Sequence, residues 1–490
     1  MRPAATVTAR RAWPAALSRH SLPAAVVLVL IAALSFVRRT DPDYWWHLRA
    51  GRDILATGSL PRVDLYSHTM AGQPWVAHSW LWEVALALVA DTAGYAGVSA
   101  LLAGLLLASF GLLYQLLRAR GLVEWAAAAL VLLGALMSVQ TLTARPHAVT
   151  YLGVIITLWL LEWWRRGQAR RLWWMLPLLA LWANVHGGYA IGLAMLGLAL
   201  AGEWLEALLA GRPARLRTLA AVLVGGLVAA SLNPQGPAIH LFAAGFLSRE
   251  SAMQRYIQEW ASPDFHDWPG MAFAVGLVLL ALTGLRPARI GWPATLVALA
   301  FAWLGLQSVR HVPLFALGGL PALAAGLAAW WPLAARPRPP ESPAFAAVNW
   351  LAVAIIAAGA ATVLLSQPLA QVGREPLEEW YPQAARAYLE RARPAGPLFN
   401  YDGWGGYLIA RAPDYPVYID GRTDLYGVAL AEEYRRTIRL EPGWRETLDR
   451  RGIRLVLVRR EQALASALRD DPGWRLVLEG EVEALFERAV

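Results

Sequence analysis

From Leu22 to Ser366 the chain alternates apolar blocks of Leu, Ala, Val and Gly with short loops that carry arginines. That pattern leaves few folds open. A bilayer crossing takes about 20 apolar residues, because every backbone N–H and C=O must be bonded inside the helix once water is gone. The blocks Leu22–Val37, Val98–Leu117, Glu124–Leu142, Val149–Trp164, Leu172–Asn184, Tyr189–Leu209, Thr218–Leu232, Met271–Leu285, Ile290–Leu306, Val312–Trp331 and Val348–Ser366 predict a mainly α, polytopic membrane bundle of about eleven helices. Soluble chains are about 45–50% apolar. This one is 57% hydrophobic, and its 25 Trp and 15 Tyr suit the headgroup level, where amphipathic rings settle.

The arginines orient the bundle. Net charge is +9, from 44 basic and 35 acidic residues, and no basic residue is a Lys. Basic clusters sit at the ends of apolar blocks, so they serve topology and point to no nucleic-acid partner. Arg2, Arg10, Arg11 and Arg19 precede the first block like the start of a signal peptide. With so many blocks following, it reads as an uncleaved first helix. An N-terminus inside puts Arg118/Arg120, Arg165/Arg166/Arg170/Arg171, Arg212/Arg215/Arg217, Arg286/Arg289 and Arg336/Arg338 inside as well. Arg145, Arg249, Arg255 and Arg310 then fall outside, together with Arg38, Arg39, Arg49, Arg52 and Arg62 of the first outer loop. The expected setting is a bacterial inner membrane with a cytoplasmic N-terminus. With no Cys, disulfides, thiolate metal sites and a Cys nucleophile are excluded.

Two domains are expected. Residues 1–366 form the membrane domain, with a first outer loop over 38–97. Residues 367–490 are richer in Arg, Glu and Asp and read as a small α/β domain outside, tied on through a Pro-rich hinge at Pro337–Pro343. Within it Pro382–Arg393 predicts a helix, and Val417–Ile419, Ile453–Val458 and Trp474–Leu478 predict strands.

The first outer loop carries the densest chemistry. It opens Asp41-Pro42-Asp43-Tyr44-Trp45-Trp46-His47 and continues through Asp64, Trp75, His78 and Glu83. Asp41 followed by Pro42 is a good helix start, and a helix there sets Asp43 and His47 one turn apart on one face. A carboxylate in that place can act as general base, or hold a divalent cation such as Mg or Mn. Asp41 and Asp43 are therefore both the catalytic and the tentative metal candidates. Trp45, Trp46 and Trp75 are candidates for a sugar platform. Ser79–Asp91 reads as an amphipathic helix on the outer surface. Further along, Arg145-Pro146-His147, His186-Gly187-Gly188, Glu259-Trp260 and Arg310-His311 collect at the outer ends of blocks. Six of the nine His (His47, His78, His147, His186, His240 and His311) fall on that side. Arg145 and Arg310 are candidate phosphate clamps, since guanidinium forks match phosphate oxygens; snorkelling to headgroups is the alternative. In the tail, Trp404, Asp420 and Arg422 are substrate-binding candidates, although glycine turns with core aromatics would give the same pattern.

On these residues the chain resembles the GT-C superfamily of membrane glycosyltransferases, such as protein O-mannosyltransferases, the aminoarabinose transferase of lipid A and the oligosaccharyltransferase catalytic subunit. There an acidic motif follows the first helix, as Asp41-x-Asp43 does here. The resemblance implies a polyprenyl-phosphate-type sugar donor, a glycan, lipid or protein acceptor, inversion at the sugar, and Asp43 before Asp41 as the base. Asp402-Gly403-Trp404-Gly405 is faintly similar to an acceptor motif of oligosaccharyltransferases. Where relatives commonly carry a second acidic position, this chain has Arg145-Pro146-His147, a departure that bears on metal dependence. A transporter, or a non-catalytic subunit of an envelope polysaccharide machine, is the rival reading. Transport would favour ionisable groups at mid-membrane, whereas these collect toward one face.

Overall fold

The computed structural model describes residues 22–35, 41–245, 258–283, 290–331 and 380–489, with isolated positions at 351, 354 and 358. Ten of the eleven apolar blocks fall on helix. They are α1 (Leu22–Ser35), the second part of α3 (Trp80–Ala119), α4 (Glu124–Ser138), α5 (His147–Arg165), α6 (Met175–Val185), α7 (Tyr189–Leu209), α8 (Leu216–Ala230), α9 (Trp268–Thr283), α10 (Trp292–Gln307), and the pair α11 (Val312–Gly318) and α12 (Leu320–Trp330). The block Val348–Ser366 and the hinge Pro337–Pro343 lie almost wholly outside the described residues.

The expectation of about eleven full spans is not met by helix length. Among the described residues, four helices are long and apolar enough to cross a membrane, or five if the pair bent by 40° at Gly319 counts as one. The 16-residue α9 and α10 reach only about 24 Å at 1.5 Å per residue, against a hydrocarbon core of about 30 Å. Around α5 and α7 the helices share one continuous apolar core, including Phe110, Trp182, Phe273 and Phe315. Glycines set the close contacts: at Gly202 a β-carbon would strike the backbone of Pro293.

Two helices outside that core position the site. Helix α2 (Pro42–Thr57) is capped at both ends: Asp41 Oδ1 accepts the Asp43 N–H at 3.0 Å, and Gly58 (φ 65°) donates to the Ile54 carbonyl at 2.9 Å. The surface helix predicted over Ser79–Asp91 is the first part of α3, broken from the rest at Gly94 (φ 62°, ψ −164°). It packs on α2 where Gly51 meets the Glu83 carbonyl.

The C-terminal residues build a four-stranded sheet in the order β1-β2-β4-β3, from β1 (Leu398–Asn400), β2 (Leu455–Arg459), β3 (Trp474–Glu479) and β4 (Glu483–Arg488). Strand β1 runs parallel to β2, and the other pairs are antiparallel. Helices α13 (Gln383–Ala392), α14 (Gly405–Arg411), α15 (Thr423–Ile438), α16 (Trp444–Arg450) and α17 (Ala463–Arg469) complete the unit. The strand predicted at Val417–Ile419 is not in this sheet. Val417 instead bridges to Ser67 of the first loop, while Asn400 bonds the backbone of Tyr418 and Ile419 at 2.7 and 2.9 Å. The segment is extended and buried, as its apolar residues require, yet its partner comes from the other end of the chain.

That bridge belongs to a second core shared by the first loop and the C-terminal unit. Trp45 meets Tyr407 edge-on at 5.2 Å, and Tyr381 stacks on Tyr407 at 4.8 Å. Gly406 brings α14 against the Pro42 carbonyl and Trp46. Each such ring removes area worth about 1.5–3 kcal/mol from water. Trp45 and Trp75, expected to face a sugar, are spent on this core at 2% and 4% exposure.

Candidate functional site

A cleft of about 1610 Å³ opens where the start of α2, the turn before α5, the Glu259–Trp260 turn, the Arg310 turn and the C-terminal segments Tyr401–Gly403 and Ile419–Asp424 converge. At its centre three carboxylates meet two guanidinium groups. Arg145 Nε lies 2.7 Å from both oxygens of Asp41. Its Nη1 is 3.0 Å from Asp43 Oδ2 and 3.2 Å from Glu259 Oε2. Arg310 Nη1 donates to Glu259 Oε1 at 2.7 Å, with its guanidinium over the Trp260 ring at 5.1 Å. The first oxygen of Asp43 accepts the Trp46 Nε1–H at 3.1 Å. The capped start of α2 explains this convergence, because it fixes Asp41 and Asp43 within one turn of each other.

These neighbours set the ionisation. Burial pushes Asp43 up to about 6; Arg145 opposes that, while Asp41 and Glu259 add to it. Glu259 has the reverse balance. Burial works to raise it, but Arg310 and Arg145 outweigh burial and hold it down to about 2. Burial drives His47 well below the usual imidazole range, so it is neutral. His47 lies against Trp46, ring centres 3.5 Å apart, with Nδ1 3.3 Å from Glu83 Oε1.

Of the sequence candidates, Asp43, Trp46, His47, His78, Arg145, His186, Arg310, Asp420 and Arg422 line the cleft. Asp41 stands behind Arg145. Asp64 is buried and forms, with Asp420 and Arg422, a closed ion cluster: Arg422 Nη1 reaches Asp64 at 2.6 Å, its Nη2 reaches Asp420 at 2.7 Å, and Tyr426 donates to Asp420 at 2.5 Å. This cluster joins the first loop to the C-terminal unit. Glu83, His147, His311 and Trp404 lie outside the lining. His147 Nε2 is 2.7 Å from the Thr141 carbonyl, His311 meets the Trp260 ring edge-on, and Trp404 Nε1 donates to the Trp380 carbonyl at 2.6 Å.

Glu259, which the sequence placed only among the outer ionisable groups, and Asp402, which it offered only within the motif-like stretch of the tail, both line the cleft. Asp402 sits two residues before Trp404 in the tail motif and takes a hydrogen bond from Tyr434 at 3.1 Å. Glu259 was visible as an acid beside Trp260 at the outer end of a block, and its two arginine partners were not.

Among the described residues, no group of three or more His, Asp or Glu side chains has an arrangement that would hold a metal ion. Asp41 and Asp43 are turned onto Arg145 instead.

No protein-family model and no curated protein sequence matches the chain. Solved structures do. The archaeal oligosaccharyltransferase AglB from Archaeoglobus fulgidus, in complex with an inhibitory peptide and a dolichol-phosphate, superposes with a TM-score of 0.57 at 13% identity, covering 89% of this chain and 69% of that one. An Archaeoglobus fulgidus oligosaccharyltransferase in complex with Zn and sulfate gives 0.54 at 13% identity. The arabinofuranosyltransferase AftD from Mycobacteria gives 0.52 at 15% identity, over 96% of this chain and 40% of that one. The fold is GT-C. With identities this low, the GT-C likeness speaks for architecture, and the chemistry is argued from the cleft.

Proposed function

We propose that this protein is a glycosyltransferase that moves a sugar from a polyprenyl-phosphate-type lipid to a glycan, lipid or protein acceptor on the non-cytoplasmic face of a bacterial inner membrane. One observation carries the reading: a cleft-lining carboxylate, Asp43, poised at about 6 and fixed by Trp46 and Arg145 between the helical bundle and the C-terminal unit. A general base works best when its pKa lies near the working pH and its geometry is fixed beforehand.

The acceptor hydroxyl attacks the anomeric carbon of the sugar while Asp43 takes its proton. The bond from that carbon to the phosphate oxygen breaks, and the lipid phosphate leaves with the electron pair. One in-line displacement inverts the anomeric centre. Arg310 has only Nη1 on Glu259, so its Nε and Nη2, which bond no side chain among the described residues, are available to the departing phosphate. Trp46 and His47 place an apolar face and a neutral imidazole beside the reacting sugar. The tail side of the cleft, with Tyr401, Asp402 and Tyr434, is the acceptor side in this reading.

The deciding experiment is release of radiolabelled sugar from a panel of polyprenyl-phosphate donors by the purified chain, wild type against Asp43→Asn. Turnover lost in the variant supports the assignment. Equal turnover in both removes Asp43 from the chemistry, and no turnover with any donor and acceptor speaks for a binding or assembly role.

A further inference from the structure

We infer that Arg145 is the resident cation of this site, a guanidinium standing in the place of a divalent metal. Its catalytic meaning rests on the glycosyl-transfer reading above; its central test does not.

The inference starts from the acids. Asp41 and Asp43 come from the start of α2 and Glu259 from a segment far along the chain, and all three close on one side chain. Three carboxylates gathered without a cation would repel one another and lose hydration together. In many sites a bound ion resolves that conflict. Here the ion is covalent: Arg145 has 14% side-chain exposure and spends Nε on Asp41 and Nη1 on Asp43 and Glu259. A guanidinium spreads its donors over a planar fork, so the acids it satisfies lie at separate nitrogens. A small divalent cation needs oxygens drawn to one point at about 2.0–2.6 Å. The described residues offer no such gathering of three acids or imidazoles. The residues therefore fit a fork and not a sphere, although one structure of similar fold was solved with Zn.

The arrangement also gives Arg145 a task. Held by Asp41, the N-cap of α2, its Nη1 sets the orientation of Asp43 Oδ2. Arg145 is thus a positioning residue for the base, and its charge offsets the acids beside which an anionic lipid phosphate must bind. Arg310, on the far side of Glu259, is left to meet that phosphate.

The test is Mn2+ binding followed by electron paramagnetic resonance on the purified full chain, as wild type, Asp43→Asn, Arg145→Ala and the double variant. Wild type should bind no more Mn2+ than Asp43→Asn. Arg145→Ala should gain roughly one site per chain, lost again in the double variant, because Asp41 and Asp43 are left without their cation. Saturable Mn2+ binding by wild type that Asp43→Asn abolishes would overturn the inference. A folded Arg145→Ala that binds none would also overturn it, by reducing Arg145 to a structural pair. Should Arg145→Ala not fold, the wild-type measurement alone decides. With a donor in hand, wild-type turnover should survive a chelator, and methylguanidinium should restore turnover to Arg145→Ala; loss on chelation with recovery on Mn2+ would count against the inference. If no donor turns over, the glycosyl-transfer reading fails while the binding result still stands.

Discussion

Gly421 lies against the carboxylate of Asp43 so closely that a β-carbon at 421 would overlap Oδ1. The glycine sits between Asp420 and Arg422, and its backbone is not in the left-handed region. Its use is close approach, not a turn. One wall of the proposed base therefore comes from the C-terminal unit. Gly421→Ala should move the Asp43 carboxylate and lower turnover about 100-fold, the scale of a 1 Å misplacement, with a small change in melting temperature. Near-normal turnover would show that the wall is dispensable.

Asp43 should impose a pH dependence. A base must be unprotonated, and burial sets this one at about 6. kcat/KM should therefore rise as pH rises through about 6 and level off above it. Asp43→Asn should lose about 100- to 10,000-fold and leave a residual rate without that limb. A wild-type profile flat between pH 5 and 8 would assign the proton to another group.

Arg310 should report the phosphate. Charge-assisted hydrogen bonds contribute about 1.5–3 kcal/mol, so Arg310→Ala should raise the donor KM at least about 10-fold, with Arg310→Lys intermediate. Steady-state kinetics across a donor series checks this. An unchanged KM would move the phosphate elsewhere.

The ion cluster Asp64–Arg422–Asp420 should behave as structure. Removing one partner leaves a buried charge unpaired, at about 3–5 kcal/mol. Arg422→Met, which leaves Asp64 and Asp420 without their cation, should lower the melting temperature and expose the C-terminal unit to protease more than Asp64→Ala does, and adding Asp64→Ala to Arg422→Met should recover part of the loss. Limited proteolysis of the four proteins gives the order. A stable Asp64→Ala protein with a weakened donor KM would restore Asp64 as a binding residue.

The sequence was most readable where a local rule applied. Apolar periodicity located the helices, and Asp41-Pro42 announced the start of α2 and with it the spacing of Asp43 and His47. Charges were readable as charges and not as pairs. Asp64 and Arg422 look like two ligands for an anionic or polar substrate, yet they satisfy each other from 358 positions apart. Trp45 and Trp75 show the same effect for aromatics: a ring that can stack on a sugar can equally fill a core, and only the tertiary partner decides. Val417–Ile419 had the composition of a strand, and its pairing with Ser67 depends on the fold of the first loop.

The shared core of the first loop and the C-terminal unit also orders the protein's own birth. Chains are made from the N-terminus onward, so Asp43 leaves the ribosome well before Gly421. Until then the acid has neither its wall nor the acceptor side of its cleft. A half-made chain already seated among lipids would hold Asp43 without the backbone that closes on it in the finished fold.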